Sequence, residues 1–233
     1  MAIHPLWSDE YWLLLMQVFM KKPVGMKPLY SKVLVDLSIE LHIPPQVLYE
    51  QMFRLRRADS PQLELLHKTY GGNPRKLKKE TERIRRMRGF GNGGAFYDGV
   101  EVRESFERDF RPIDLDETDG FGAAPVQKAN EQRLMPIMII LILDLYFRLV
   151  PQTMVTETPE VKETAKLMDI TPQDVTDILE IYTYCDPFMK HADSLIDPML
   201  PPCMRVWRRF CTAEHPDITA LSNLAQQMKA YWK

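Results

Sequence analysis

Residues 135–150 read Met-Pro-Ile-Met-Ile-Ile-Leu-Ile-Leu-Asp-Leu-Tyr-Phe-Arg-Leu-Val. No other stretch constrains the fold as much. A membrane-spanning helix needs about 20 mostly apolar residues. This run is shorter and carries Asp144 and Arg148. A helix that is apolar around its whole circumference must be enclosed by other elements. The expectation is a buried central helix with further helices packed around it. Asp144 and Arg148 stand four apart, the spacing of an ion pair on one helix face.

The rest of the chain is cut into short pieces by 18 prolines and 10 glycines. Ser8, followed by Asp9 and Glu10, predicts the N-cap of a first helix reaching about Met20, with Trp7 and Trp12 at hydrophobic-staple spacing. Trp12, Leu15, Met16 and Phe19 would form its buried side. A second helix is predicted at about 29–41 and a third at about 45–57, opened by Pro45 after the turn His42-Ile43-Pro44. Ser60-Pro61 and Asn73-Pro74 each read as a cap followed by a first-turn proline. Gly71-Gly72 and Gly89 stop the helices they start. Residues 95–102 alternate around Asp98-Gly99, so a small β-hairpin is expected near 95–113. Residues 114–134 are acidic and rich in small residues, and read as a flexible linker. A final helix should begin near Asp217. The fold class is therefore mostly all-α and multihelical. The expected segments are a tri-helical unit at 1–59, a basic helical segment with a glycine loop at 60–113, the linker at 114–134, and a second helical unit at 135–233.

Ile43-Pro-Pro-Gln-Val-Leu-Tyr-Glu-Gln-Met52 aligns with Ile170-Thr-Pro-Gln-Asp-Val-Thr-Asp-Ile-Leu179, 127 residues later. At the same offset Trp12–Met20 falls on Ile139–Phe147. This suggests an internal repeat of a three-helix unit. Each tight turn resembles the helix-turn-helix family of DNA-binding motifs, which wants a small residue before the turn and apolar anchors after it. Ala165, Ile170, Val175 and Ile178 fill those positions in the second unit. Ser38, Ile43 and Leu48 fill them in the first, where Gln51 stands in place of the last anchor and Met52 follows. His42 and Asp169 occupy the turn position that usually holds Gly. The resemblance implies a recognition helix at 45–57, with Gln46, Glu50, Arg54 and Arg57 on its exposed side and Arg56 at its basic end. The matching helix near 172–185 would expose Asp174, Asp177 and Glu180. Phosphate repels such a surface, so the second unit is expected to meet protein.

Charge is unevenly spread within a net of −2. Residues 1–90 carry 16 Lys+Arg and 9 Asp+Glu, and residues 91–233 carry 14 and 23. That asymmetry points to an anionic partner for one part or to association between the parts. The basic excess centres on Arg75, Lys76, Lys78, Lys79, Arg83, Arg85, Arg86 and Arg88. At 3.6 residues per turn these wrap most of a helix and leave only Leu77 and Ile84 as an apolar line. Phe90, Phe96 and Tyr97 follow, and read either as base-stacking groups or as loop anchors.

Recognisable chemistry is lacking. Gly89, Gly91 and Gly94 fit G-x-G-x-x-G, but a helix precedes them and strand-like sequence follows, the reverse of a dinucleotide fingerprint. A calcium loop beginning at Asp114 fails, because Asp119 and Pro125 stand where Gly and Glu are needed. Cys203, Cys211 and His215 lack the paired spacing of a zinc site. Cys185, Cys203 and Cys211 are an odd set, which suits free thiols in a reducing compartment. The first ten residues have no basic start, so no leader is expected and the location is read as cytoplasmic. No cofactor, metal or membrane is expected, and no residue is marked as catalytic. The favoured function is non-enzymatic binding of nucleic acid through Gln46, Arg54, Arg56, Arg57 and the basic residues of 75–88. The alternative is a helical protein-interaction or self-assembly module, and an enzyme with a site built from distant residues stands behind both.

Overall fold

The computed structural model describes residues 4–91, 106–113, 134–191, 193–211 and 217–233. They are mostly helical, and among the described residues no strand occurs. The chain forms two compact units, residues 1–107 and 108–232.

The first unit contains α1 (Tyr11–Met20), α2 (Lys32–Leu41), α3 (Pro45–Arg57), α4 (Pro61–Tyr70) and α5 (Pro74–Arg85). Helix α1 is its hub and packs on α2, α3 and α5. Its burial is wider than one stripe: Trp12, Leu14, Leu15, Met16 and Val18 are all buried, while Phe19 is only partly so. Ser8 does not cap α1, which starts at Tyr11. The Ser8 hydroxyl donates to the Glu10 carboxylate, leaving it turned away from the helix amides. The Ser8 carbonyl instead accepts from Tyr11 N at 3.0 Å, so the chain enters through a turn. The paired tryptophans do meet, with ring centroids 4.9 Å apart, edge to face.

The caps at the two Pro-started helices form as read from the sequence. Ser60 accepts from Leu63 N and Asn73 from Lys76 N, satisfying amides that a helix start leaves open. Leu77, Thr81 and Ile84 seat α5 on the core formed with α1. Helix α2 ends in a Schellman turn. His42 is left-handed (φ 55°), and Ile43 N reaches back to the Ser38 carbonyl at 3.1 Å. His42 Nδ1 lies 2.7 Å from the buried Glu107 carboxylate, and its Nε2 lies 2.9 Å from the Gly91 carbonyl. Gly91 itself sits at φ +70°, and an added Cβ would stand 3.3 Å from the Glu40 carbonyl, so both its backbone and its space favour Gly.

In the second unit α6 (Pro136–Tyr146) is the central helix. Every residue from Ile137 to Tyr146 is buried. Around it pack α7 (Pro159–Met168), α8 (Pro172–Cys185), α9 (Leu200–Phe210) and α10 (Ile218–Met228). Asp144, buried within α6, pairs with Arg148 at 3.0 Å, as their spacing predicts. Tyr182 is fully buried and donates to the Ile139 carbonyl at 2.8 Å. This bond fits a polar group into an apolar layer without leaving it unpaired. Trp207 stacks on Phe147 with centroids 5.7 Å apart. The second tight turn places Asp169 at φ 58° and bonds Ile170 N to the Ala165 carbonyl at 3.1 Å. Thr171 and Asp174 then close a capping box on α8.

The expected hairpin region divides. Residues 92–105 lie outside the described residues, as does 114–133 of the expected linker. Residues Phe106–Phe110 form a 3₁₀ helix where a strand was anticipated. Phe106 and Phe110 are four apart, and Phe110 is buried with its ring 5.5 Å from that of Tyr231. Period-two alternation ends there.

Candidate nucleic-acid interface

The residues singled out by charge fall into two classes once side-chain partners are known. Some are committed inside the first unit. Gln46 donates to the Tyr30 hydroxyl at 2.6 Å. Arg54 pairs with Asp59 at 3.1 Å, donates to Gln51, and lies over the Trp12 ring at 5.5 Å from its centroid. Arg85 is held most firmly. Its guanidinium grips Glu40 with two nitrogens and donates to Gln17 at 3.1 Å. The Glu40 hydrogen bond raises its pKa further, against the opposing effect of burial. A bidentate carboxylate pair of this kind fixes geometry as well as charge.

Others are weakly held. Lys78 lies 3.8 Å from Glu82, and Arg83 lies 2.9 Å from Glu80, both pairs on the exposed face of α5. Such exposed pairs contribute only about 0.3–0.5 kcal/mol and yield readily to another anion. Lys76 lies over the Tyr70 ring, 5.2 Å from its centroid. Arg56, Arg57, Arg75, Lys79, Arg86 and Arg88 are exposed and have no hydrogen-bond or ion-pair partner among the described residues. On α5, the 3.6-residue turn places Arg75, Lys79 and Arg86 opposite the buried Leu77, Thr81 and Ile84. They form a solvent-facing ridge on a helix whose other side is fixed in the core.

One cation escapes both classes. Lys27 is buried, and its ammonium donates to the Lys21 and Pro23 carbonyls. Burial, aided by the nearby Lys21 charge, lowers its pKa. Phe90, one of the candidate stacking aromatics, packs edge to face on Tyr11 at 6.1 Å and acts as an anchor. Phe96 and Tyr97 lie outside the described residues. The exposed stripe of α3 carries a pair that charge counting passes over. Tyr49 and Phe53 meet edge to face at 5.1 Å, with Phe53 exposed. Their i, i+4 spacing was the available signal.

Among the described residues no group of His, Cys, Asp and Glu is arranged to hold a metal ion, and no helix is long and apolar enough to cross a membrane. His215 lies outside the described residues. Burial raises the thiol pKa of Cys185 to about 11 and that of Cys211 to about 12, and raises that of Cys203 strongly. These are poor nucleophiles, since the thiolate is the reactive form. Comparison with known protein families, characterised proteins and solved structures finds no match to this chain.

Proposed function

We propose that the first unit binds an anionic polymer, with nucleic acid as the favoured class, through the outward ridge of α5 and the basic end of α3. The observation that supports this reading is the separation of paired from unpaired cations. Arg75, Lys79 and Arg86 point away from a core-anchored face and have no carboxylate partner among the described residues. Unpaired cations on a rigid helix can neutralise phosphates with little ordering cost. The reading is of binding rather than catalysis.

The helix-turn-helix resemblance and the internal repeat belong to the same proposal. Their support is local geometry at the 127-residue offset: His42 and Asp169 are both left-handed, and Ser38 and Ala165 are both buried acceptors of the returning amide. Leu48 matches Val175 and Met52 matches Leu179, all fully buried. On α3, the pairing of Gln46 and Arg54 within the fold weakens base reading and leaves Arg56 and Arg57 as backbone contacts.

The protein-interaction alternative is favoured by the exposed Phe53, packed on the half-buried Tyr49 beside Glu50. Fluorescence anisotropy with mixed-sequence duplex DNA and with single-stranded RNA, over a salt series, separates the readings. Affinity that falls steeply with salt is expected. No binding to either probe at low salt would refute the nucleic-acid reading and leave the interaction module.

A further inference from the structure

The second unit carries a surface groove of about 450 Å³ between the segment 151–157 and the outward side of α8. Pro151, Met154 and Val155 give it apolar walls, and Glu157, Asp177 and Glu180 give it charge. Val155 is 45% exposed. No Lys or Arg forms an ion pair with any of the three carboxylates among the described residues. Asp177 accepts from the Gln173 amide at 2.6 Å and Glu157 from the Thr156 hydroxyl at 2.9 Å, neutral donors that leave both charges uncompensated, whereas Asp174 is committed to the α8 capping box. We infer that this groove receives the basic α5 ridge of a second copy of the chain.

Charge complementarity identifies the occupant. Each copy carries Arg75, Lys79 and Arg86 on one unit and Glu157, Asp177 and Glu180 on the other, three cations and three carboxylates that have no ion pair among the described residues. Spacing agrees. Arg75 and Lys79 are one turn apart, about 6 Å along α5, and Asp177 and Glu180 are about 4.5 Å apart along α8. Long Lys and Arg stems absorb the difference. Each surface also has an exposed apolar side chain, Met87 just past the end of α5 and Val155 in the groove. At about 450 Å³ the groove offers little contact area, so the contact is small, weak and salt-sensitive. It joins different patches on the two copies and is therefore head-to-tail. A polyanion on α5 would compete with it. The inference itself stands whether or not the natural polyanion is a nucleic acid.

Sedimentation velocity of the full chain across a salt series tests this. The wild type should associate at about 50 mM salt and dissociate as screening increases. Asp177→Lys with Glu180→Lys, and separately Arg75→Glu with Lys79→Glu, should each weaken association by roughly tenfold or more. All four positions are exposed, and circular dichroism checks that each variant is folded. The chain carrying all four changes should associate again, as should an equimolar mixture of the two double variants. A wild type that stays monomeric at low salt overturns the inference. So does association that survives either reversal, or a four-site variant that fails to recover. Asp177→Asn with Glu180→Gln removes groove charge without adding cations and keeps α5 intact, so its polyanion affinity tests the binding reading separately.

Discussion

Replacing Arg75, Lys79 and Arg86 with Ala removes three of the six cations that have no partner among the described residues and leaves the paired ones in place. Each phosphate neutralised by a protein cation contributes about 0.9 to the salt slope on duplex DNA and about 0.7 on a single strand. Six free cations therefore give a log–log slope of roughly −4 to −5, and affinity falls by about three orders of magnitude between 50 and 200 mM salt. The triple variant should lose roughly 2 to 3 of that slope. Its fold should hold, since Ala is the best helix former and the three side chains are exposed, opposite the buried stripe. Arg85→Ala is the matched control. Its charge is already taken up by Glu40 and Gln17, so the slope should scarcely change, while stability falls by at most about 1 kcal/mol for a half-exposed pair. Anisotropy over the salt series reads both variants. A triple variant with the wild-type slope would refute the reasoning, as would an Arg85→Ala slope that drops as much as a free residue's.

Ala58 ends α3 in the left-handed region at φ 49°, where a Cβ is unfavourable, so Ala58→Gly should raise stability by about 1 kcal/mol in urea unfolding. An unchanged or lower midpoint would show that the turn tolerates the Cβ freely. Arg148→Ala should destabilise by about 2 kcal/mol, because it leaves the buried Asp144 carboxylate without its 3.0 Å partner, and Asp144→Asn in the same background should recover part of the loss. Stability should also fall with alkaline pH. Cys185 and Cys211 ionise near 9 when unfolded but only near 11 and about 12 when folded, so the folded state holds more protons above pH 9 and the loss is at most about 1.4 kcal/mol per pH unit per thiol. Cys185→Ala should reduce that slope in unfolding curves taken from pH 8 to 10. For the same reason, Cys185 and Cys203 should resist alkylation until the chain unfolds.

The local order of the chain was legible because its signals are local. Ser60, Asn73 and Thr171 cap the helices they precede, since a side-chain oxygen two or three residues from an open amide needs no distant help. The apolar run from Ile137 to Tyr146 had to be enclosed, and it is. Ser8 misled because Glu10, two residues on, competes for its hydroxyl. Phe106–Phe110 misled because a short segment takes its conformation from what it packs on, here Tyr231 far along the chain.

The candidate interface divides the same way. Sequence alone determined that a basic helix exists, which of its residues are charged, and that Leu77 and Ile84 would seat it. Only the tertiary structure decided which charges remain free. Arg85 is silenced by Glu40 and Gln17, which lie 45 and 68 residues away, whereas Arg54 is paired with Asp59, only five residues on, and held over the Trp12 ring. The groove of Glu157, Asp177 and Glu180 likewise exists only because the segment 151–157 folds back along α8. Charge is a property of residue type and is visible in one dimension. Availability depends on which opposite charge the fold brings within about 4 Å, and chain collapse sets that distance.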